Sequence, residues 1–313
     1  MLMQRVFSDN KLKEYKVICP LINFQIPNIL TGPFKITTEE MGKILHNRKE
    51  QLIKGIEIID GVKIRRISKE DIDEIKRYPF TIPSIDSLSS VQFVLEKNII
   101  VDKQHDFQVD SIMRNTILAL RLLKPGYVSG NYLFYISLSG KSRLTEWSRE
   151  EGHRLNYLGF PYILNFDDIP TLKSLVRKLQ KIDFTKRKRL NLACKRFQRA
   201  YEEQDLEDQL IDLMIAFEAL FVRKEIKGAS KKQKIVNACS SLLGKNEKER
   251  KEIRNILSEA YSIRNRVVHG SEYQKTKPDD IDYFSNLVSE VENYLRESIK
   301  KLLDREIITR CRS

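Results

Sequence analysis

The sequence predicts an α+β domain over residues 1–166 followed by an all-α helical bundle over residues 167–313. Three observations carry this. From Tyr15 to Phe166 the apolar pattern keeps changing between strand and helix periods, whereas from Pro170 onward it is almost wholly helical with short breaks. Ile56-Glu57-Ile58-Ile59, Asp60-Gly61, Val62-Lys63-Ile64 is a strong hairpin signal, because Asp-Gly supplies the positive φ angles of a two-residue turn. The length of 313 residues accommodates two domains at roughly 150 each.

In the first domain, Val17-Ile18 and Leu21-Ile22 form a short apolar run interrupted by Pro20. A helix is predicted from Thr38 to Ile53, with Thr37 or Thr38 as N-cap ahead of Glu40. Ser68 to Arg77 reads as a short helix in which Ser68 caps and Asp71 closes a capping box. Val91 to Val101 is β-rich, Val109 to Leu123 is amphipathic and ends at Pro125-Gly126, and Tyr132 to Leu138 is a further strand. Ser139-Gly140-Lys141-Ser142 resembles the end of a phosphate loop, but Tyr135 stands where its first glycine belongs, so it is rejected as one. His46, His105 and His153 are isolated from one another and from cysteine, and Trp147 is expected in the core. No catalytic motif stands out in this half.

In the second domain, helices are predicted from Thr171 to Ile182 and from Lys186-Arg187-Lys188-Arg189 through Tyr201. Another starts at Asp205, where Asp205 and Asp208 resemble a capping pair, and carries Leu206, Leu210, Leu213, Phe217 and Phe221 on one stripe. Ser230 to Leu243 is stopped by Gly244. Asn246, with Glu249 three residues on, caps the next helix, and Pro278 starts the last. Antiparallel helices with short connections describe a bundle.

The net charge of +13 and pI of about 9.4 favour polyanionic partners. Cys19, Cys194, Cys239 and Cys311 form no CxxC pair, which argues against a zinc site or a disulfide framework and for a reducing cytoplasm. No apolar run approaches the ~20 residues of a membrane span, and there is no secretory segment. A cytoplasmic protein without metal, cofactor or membrane is expected.

The most informative stretch is Tyr261-Ser262-Ile263-Arg264-Asn265-Arg266-Val267-Val268-His269-Gly270, which closes a helix with a cationic, titratable group. Asn265 and His269, four apart, share a face, Arg264 lies about 100° round, and Gly270 suits a left-handed stop. His269 is the residue suited to general acid–base work near neutrality; Arg264 offers a fork for a phosphate. Asn265 can orient the imidazole or donate to a phosphate oxygen. Glu218 interrupts the apolar stretch from Met214 to Phe221; it either lies exposed on the polar face or, as a buried carboxylate, needs a partner such as Arg264. Tyr261 and Arg266 flank the group as supporting residues. Lys186, Arg187, Lys188, Arg189, Lys195 and Arg196 read as a solvated basic run or as a track for an RNA backbone.

Arg264-Asn265-Arg266-Val267-Val268-His269 resembles the Arg–polar–spacer–His motif of the HEPN superfamily, in its Apea-like branch. Leu210-Ile211-Asp212-Leu213-Met214-Ile215-Ala216-Phe217-Glu218-Ala219-Leu220 is similar to the helix that precedes the motif, Leu190 to Tyr201 to the helix before that, and Ala119 to Gly126 to a segment found upstream. The clear likeness spans about residues 187–302. It implies a HEPN-type bundle and a metal-independent endoribonuclease, a hydrolase of prokaryotic antiviral defence or toxin–antitoxin systems. It further implies RNA as substrate, a homodimer whose two motifs face one cleft, and an antitoxin or defence partner protein. A catalytically silent RNA-binding or interaction module and an oligomeric scaffold are the competing readings.

Overall fold

The computed structural model describes residues 13–28, 37–77, 91–101, 106–130, 132–138, 143–146, 161–222, 229–270 and 278–310. The expectations on His105, Ser139 to Ser142, Trp147, His153 and Cys311 fall outside them. The chain divides into two compact units, Met1–Arg177 and Lys178–Ser313, later than the change of composition at 166/167. A small antiparallel sheet lies in the first and helices make up the second.

The first unit contains β1 (Lys13–Leu21), β2 (Phe24–Gln25), α1 (Thr38–Lys54), β3 (Ile56–Ile59), β4 (Val62–Arg66), α2 (Lys69–Lys76), β5 (Phe93–Val101), α3 (Asp106–Leu123), β6 (Tyr132–Ser137), β7 (Arg143–Glu146) and β8 (Tyr162–Ile163). Six strands form an antiparallel sheet in the order β3-β4-β5-β1-β6-β7, and β2 pairs in parallel with β8. The expected hairpin is β3–β4, with Asp60 at φ 44 and Gly61 at φ 77 in the turn. Thr37 and Ser68 cap α1 and α2 in full capping boxes with Glu40 and Asp71. The proline that interrupts the apolar run does not end the strand. Pro20 stays in β1 opposite Val94, and the pairing of β1 with β6 has already ended at Ile18, so no neighbour on that side requires the missing N–H. Ile18, Ile22, Ile75, Val91, Phe134 and Ile136 build one core under the sheet.

Asp71 is completely buried and accepts from Lys16 Nζ at 2.6 Å and Arg65 Nη1 at 2.6 Å, while Arg65 also pairs with Glu96. Burial pushes the Asp71 carboxyl up, but the hydrogen bonds from Arg65, Lys16 and the Ser68 backbone outweigh it and hold the carboxyl well below the usual carboxylate range. Because the folded value is the lower one, the unfolded chain binds the extra proton. This stability is therefore present above about pH 4 and lost as pH falls through the folded value. Asp71→Asn is expected to remove about 2 kcal/mol at neutral pH and to flatten the acid side of the stability curve. Hydrogen exchange of the β1 and β5 amides across pH checks this; an unchanged acid limb in the variant contradicts it.

The second unit follows α4 (Ile169–Lys181), which spans the division, and comprises α5 (Lys188–Ala200), α6 (Leu206–Phe221), α7 (Lys231–Leu243), α8 (Glu247–Val268) and α9 (Pro278–Arg310). α6 packs against all four of the other helices that begin in this unit. Its buried Leu210, Leu213, Met214 and Phe217 explain why: an inward face this apolar is stable only when covered on several sides. A fully buried Phe217 alone contributes roughly 1.5–3 kcal/mol by leaving water. Asp205 occupies the N-cap position but makes no side-chain cap bond, unlike the expected pair with Asp208, whereas Asn246 accepts from the Glu249 amide as anticipated.

Cys19, Cys194 and Cys239 are buried and free. Burial raises the thiol of Cys19 and pushes those of Cys194 and Cys239 up to about 12. A Cys311→Ser variant is therefore expected to give no fast-reacting thiol with a disulfide reagent until denatured, since thiolate is the reactive form. A native-state thiol reacting within minutes would contradict the burial.

Candidate functional site

The buried face of α8, Ile253, Leu257, Ala260 and Ile263, follows helical spacing and fixes the rotation of its last turns. Residues 264 and 265, immediately after Ile263, are thereby half-buried at the rim, and Arg266 and His269 are exposed. The His269 amide donates to the carbonyls of Asn265 and Arg266, each at 3.1 Å. His269 is thus the C-cap, one turn beyond Asn265. Gly270, at φ +80, ends the helix as the sequence predicts, and its amide bonds to Val267 O at 3.0 Å. Among the described residues no side chain or backbone group bonds to the imidazole.

Glu218, in the last turn of α6, meets this rim. Its Oε1 lies 3.5 Å from Arg264 Nη2, and its Oε2 lies 3.3 Å from Lys231 Nζ at the start of α7. Ser230 caps α7 in a box with Gln233, which fixes where Lys231 sits. Arg264 Nη1 donates to Asn265 Oδ1 at 3.1 Å, so Asn265 orients the guanidinium rather than the imidazole. The guanidinium carbon stands 5.9 Å from the centre of the buried Tyr261 ring. Burial raises the Tyr261 phenol above its ordinary value, and the Glu218 charge beside it adds to the rise. Arg264 Nε and Glu218 Oε1 are both buried and, among the described residues, have no hydrogen-bond partner. Nearby, Lys232 donates to Ser262 Oγ at 3.0 Å. The result is a carboxylate enclosed by two cations at the meeting of three helix ends, with an exposed histidine at the rim.

The expected basic track is only partly available. Arg189 donates to the carbonyls of Ala219 at 2.8 Å, Leu220 at 3.3 Å and Val222 at 2.9 Å. It caps the C-terminus of α6, where four carbonyls lack helical partners and the dipole favours a cation. Arg196 is held by the buried Asp212 at 2.6 Å, which also takes Arg199 at 3.1 Å. Both arginines thus have structural work within the bundle. Lys186, Arg187, Lys188 and Lys195 are exposed, Lys186 lying 3.5 Å from Asp183. Sequence reasoning missed Lys231. Its only signal was its place behind the Ser230 cap, and nothing in the spacing ties it to Glu218.

Among the described residues no group of three or more His, Cys, Asp and Glu side chains is placed to hold a metal ion. No described helix is long and apolar enough to cross a membrane. Comparisons of the chain with family models, with curated proteins and with solved structures each return no match.

Proposed function

We propose that the chain is a metal-independent endoribonuclease of the HEPN superfamily, in its Apea-like branch, acting at Arg264, Asn265 and His269. The observation that supports this most is the placement of an exposed imidazole and a half-buried, pre-oriented guanidinium on adjacent turns at one helix end. RNA carries its own nucleophile in the ribose 2′-OH. In the proposed reaction the 2′ oxygen attacks phosphorus and gives its proton to a base, while the bond from phosphorus to the 5′ oxygen breaks and that oxygen takes a proton from an acid. A 2′,3′-cyclic phosphate and a 5′-OH result. His269 serves the proton transfers, and Arg264 stabilises the charge that develops on the phosphate oxygens. One motif histidine per chain serves both ends of the reaction most simply if a second copy brings its own, which is the reason to propose a homodimer. A role in defence or as a toxin, with an antitoxin or defence partner, belongs to the same reading. The charge of +13 favours an RNA substrate, with Lys186, Arg187, Lys188 and Lys195 exposed members of the basic run outside the Arg189 cap and the Arg196–Asp212 pair.

The test is cleavage of single-stranded RNA in EDTA by the wild-type chain, Arg264→Ala and His269→Ala. Cleavage in EDTA that both variants lose supports the enzyme. RNA binding without cleavage in the wild type would move the proposal to a silent binding module, for which the unsupported imidazole of His269 already gives a reason.

A further inference from the structure

We propose that Lys231 is a positioning residue that frees Arg264 for a phosphate by holding Glu218. The proposal rests on the reading of Arg264 as the phosphate-binding group. In a guanidinium, Nε and Nη2 form the side-on fork that takes two oxygens of a carboxylate or phosphate. In this chain that fork meets one oxygen, Glu218 Oε1, at 3.5 Å from Nη2, and among the described residues Nε has no hydrogen-bond partner. The contact is ionic attraction at a distance too long for a good hydrogen bond. The fork is aimed and unsatisfied, and a better acceptor can capture it.

A carboxylate as enclosed as Glu218, 18% exposed, resists losing its cation, because an uncompensated charge at such a site is strongly unfavourable. Lys231 removes that obstacle. It reaches Glu218 through the other oxygen, Oε2, at 3.3 Å, so the carboxylate keeps a partner when Arg264 turns away. Asn265 is bonded to Nη1, the nitrogen outside the fork, and so does not occupy it. Lys231 is itself 62% exposed, which leaves its long side chain room to follow Glu218. Without Lys231, Glu218 would draw Arg264 into a closed ion pair and compete with the phosphate for the fork.

The competition sets a sign that general electrostatics does not. If Lys231 acts through Glu218, its removal matters only while residue 218 carries charge. In the full chain with 15N-labelled arginine, the Arg264 Nε–H signal is titrated with inorganic phosphate. Lys231→Met is expected to weaken the phosphate response by about fivefold, the lower range for coupled neighbours, and by less than about twofold in a Glu218→Gln background. Lys231→Arg should restore the wild-type response, and Lys231→Gln should repeat the loss. An equal loss in both backgrounds would overturn the proposal, since Lys231 would then act on the anion directly. No loss in either background, or no phosphate response in the wild type, would overturn it too. The readout involves no RNA. A chain that shows the coupling but leaves RNA intact keeps the Lys231 assignment and loses the endoribonuclease reading.

Discussion

His269→Ala and Arg264→Ala should each lower RNA cleavage in EDTA by about 10²–10⁴-fold, the range for removing a general acid–base group or a charge-stabilising donor. The two losses should differ in kind. His269 is exposed and makes no ring contact among the described residues, so its removal should leave binding of an uncleavable 2′-O-methyl RNA almost unchanged. Folding stability should also stay within about 0.5 kcal/mol of wild type, as for surface substitutions generally. Arg264→Ala should weaken binding as well as turnover, because the guanidinium would contact phosphate before and during reaction. Arg264→Lys should recover little, since an ammonium lacks the planar fork. Single-turnover cleavage and anisotropy of the uncleavable strand separate the effects. Wild-type rates in both variants would remove the enzyme reading outright.

Arg296→Ala should destabilise the helical unit by about 3–5 kcal/mol, the usual consequence of breaking a buried charged network from one side. Arg296 is 1% exposed, the largest side chain so enclosed. It donates to Glu292 Oε1, Asn293 Oδ1 and, at 2.8 Å, Tyr201 Oη; Tyr201 in turn donates to Glu292 Oε1 at 2.7 Å. The network fastens the end of α5 to the middle of α9. Burial, with the Glu292 charge beside it, raises the Tyr201 phenol well above its ordinary value, so the hydroxyl remains a donor. Removing Arg296 takes the counter-charge from Glu292 and leaves it, with the Tyr201 hydroxyl as donor, against a cavity. Replacing the group together, as Tyr201→Phe, Glu292→Met and Arg296→Met, should be markedly less damaging than Arg296→Ala alone, because no buried charge is left without its counter-charge. Urea midpoints for the unit check both statements. A small effect from Arg296→Ala would mean that water reaches the network.

The sequence by itself determined the local structure. The Asp60-Gly61 turn, the Thr37, Ser68, Ser230 and Asn246 caps and the stop at Gly270 all stand where their residues require, because such signals act within four residues of themselves. For Glu218 the sequence left two alternatives, an exposed place on the polar face or a pairing with Arg264, and the structure takes the second, at 3.5 Å. The interruption at Pro20 is tolerated for a reason distant in sequence: it depends on where the neighbouring strand's pairing ends, at the register of Ile18 with Phe134, not on proline itself.

Only the tertiary structure decided which cations were already engaged. In sequence Arg189 and Lys188 are equivalent members of a basic run. In space one caps the carbonyls of α6 and the other faces solvent. Lys231 and Glu218 are likewise strangers along the chain. They become neighbours because α6 lies at the centre of the bundle and receives the ends of several helices at once. The physical reason is range: caps and turns are set by bonds to the nearest residues, whereas the partner of a charge is set by helix packing, which depends on the whole apolar surface of the bundle.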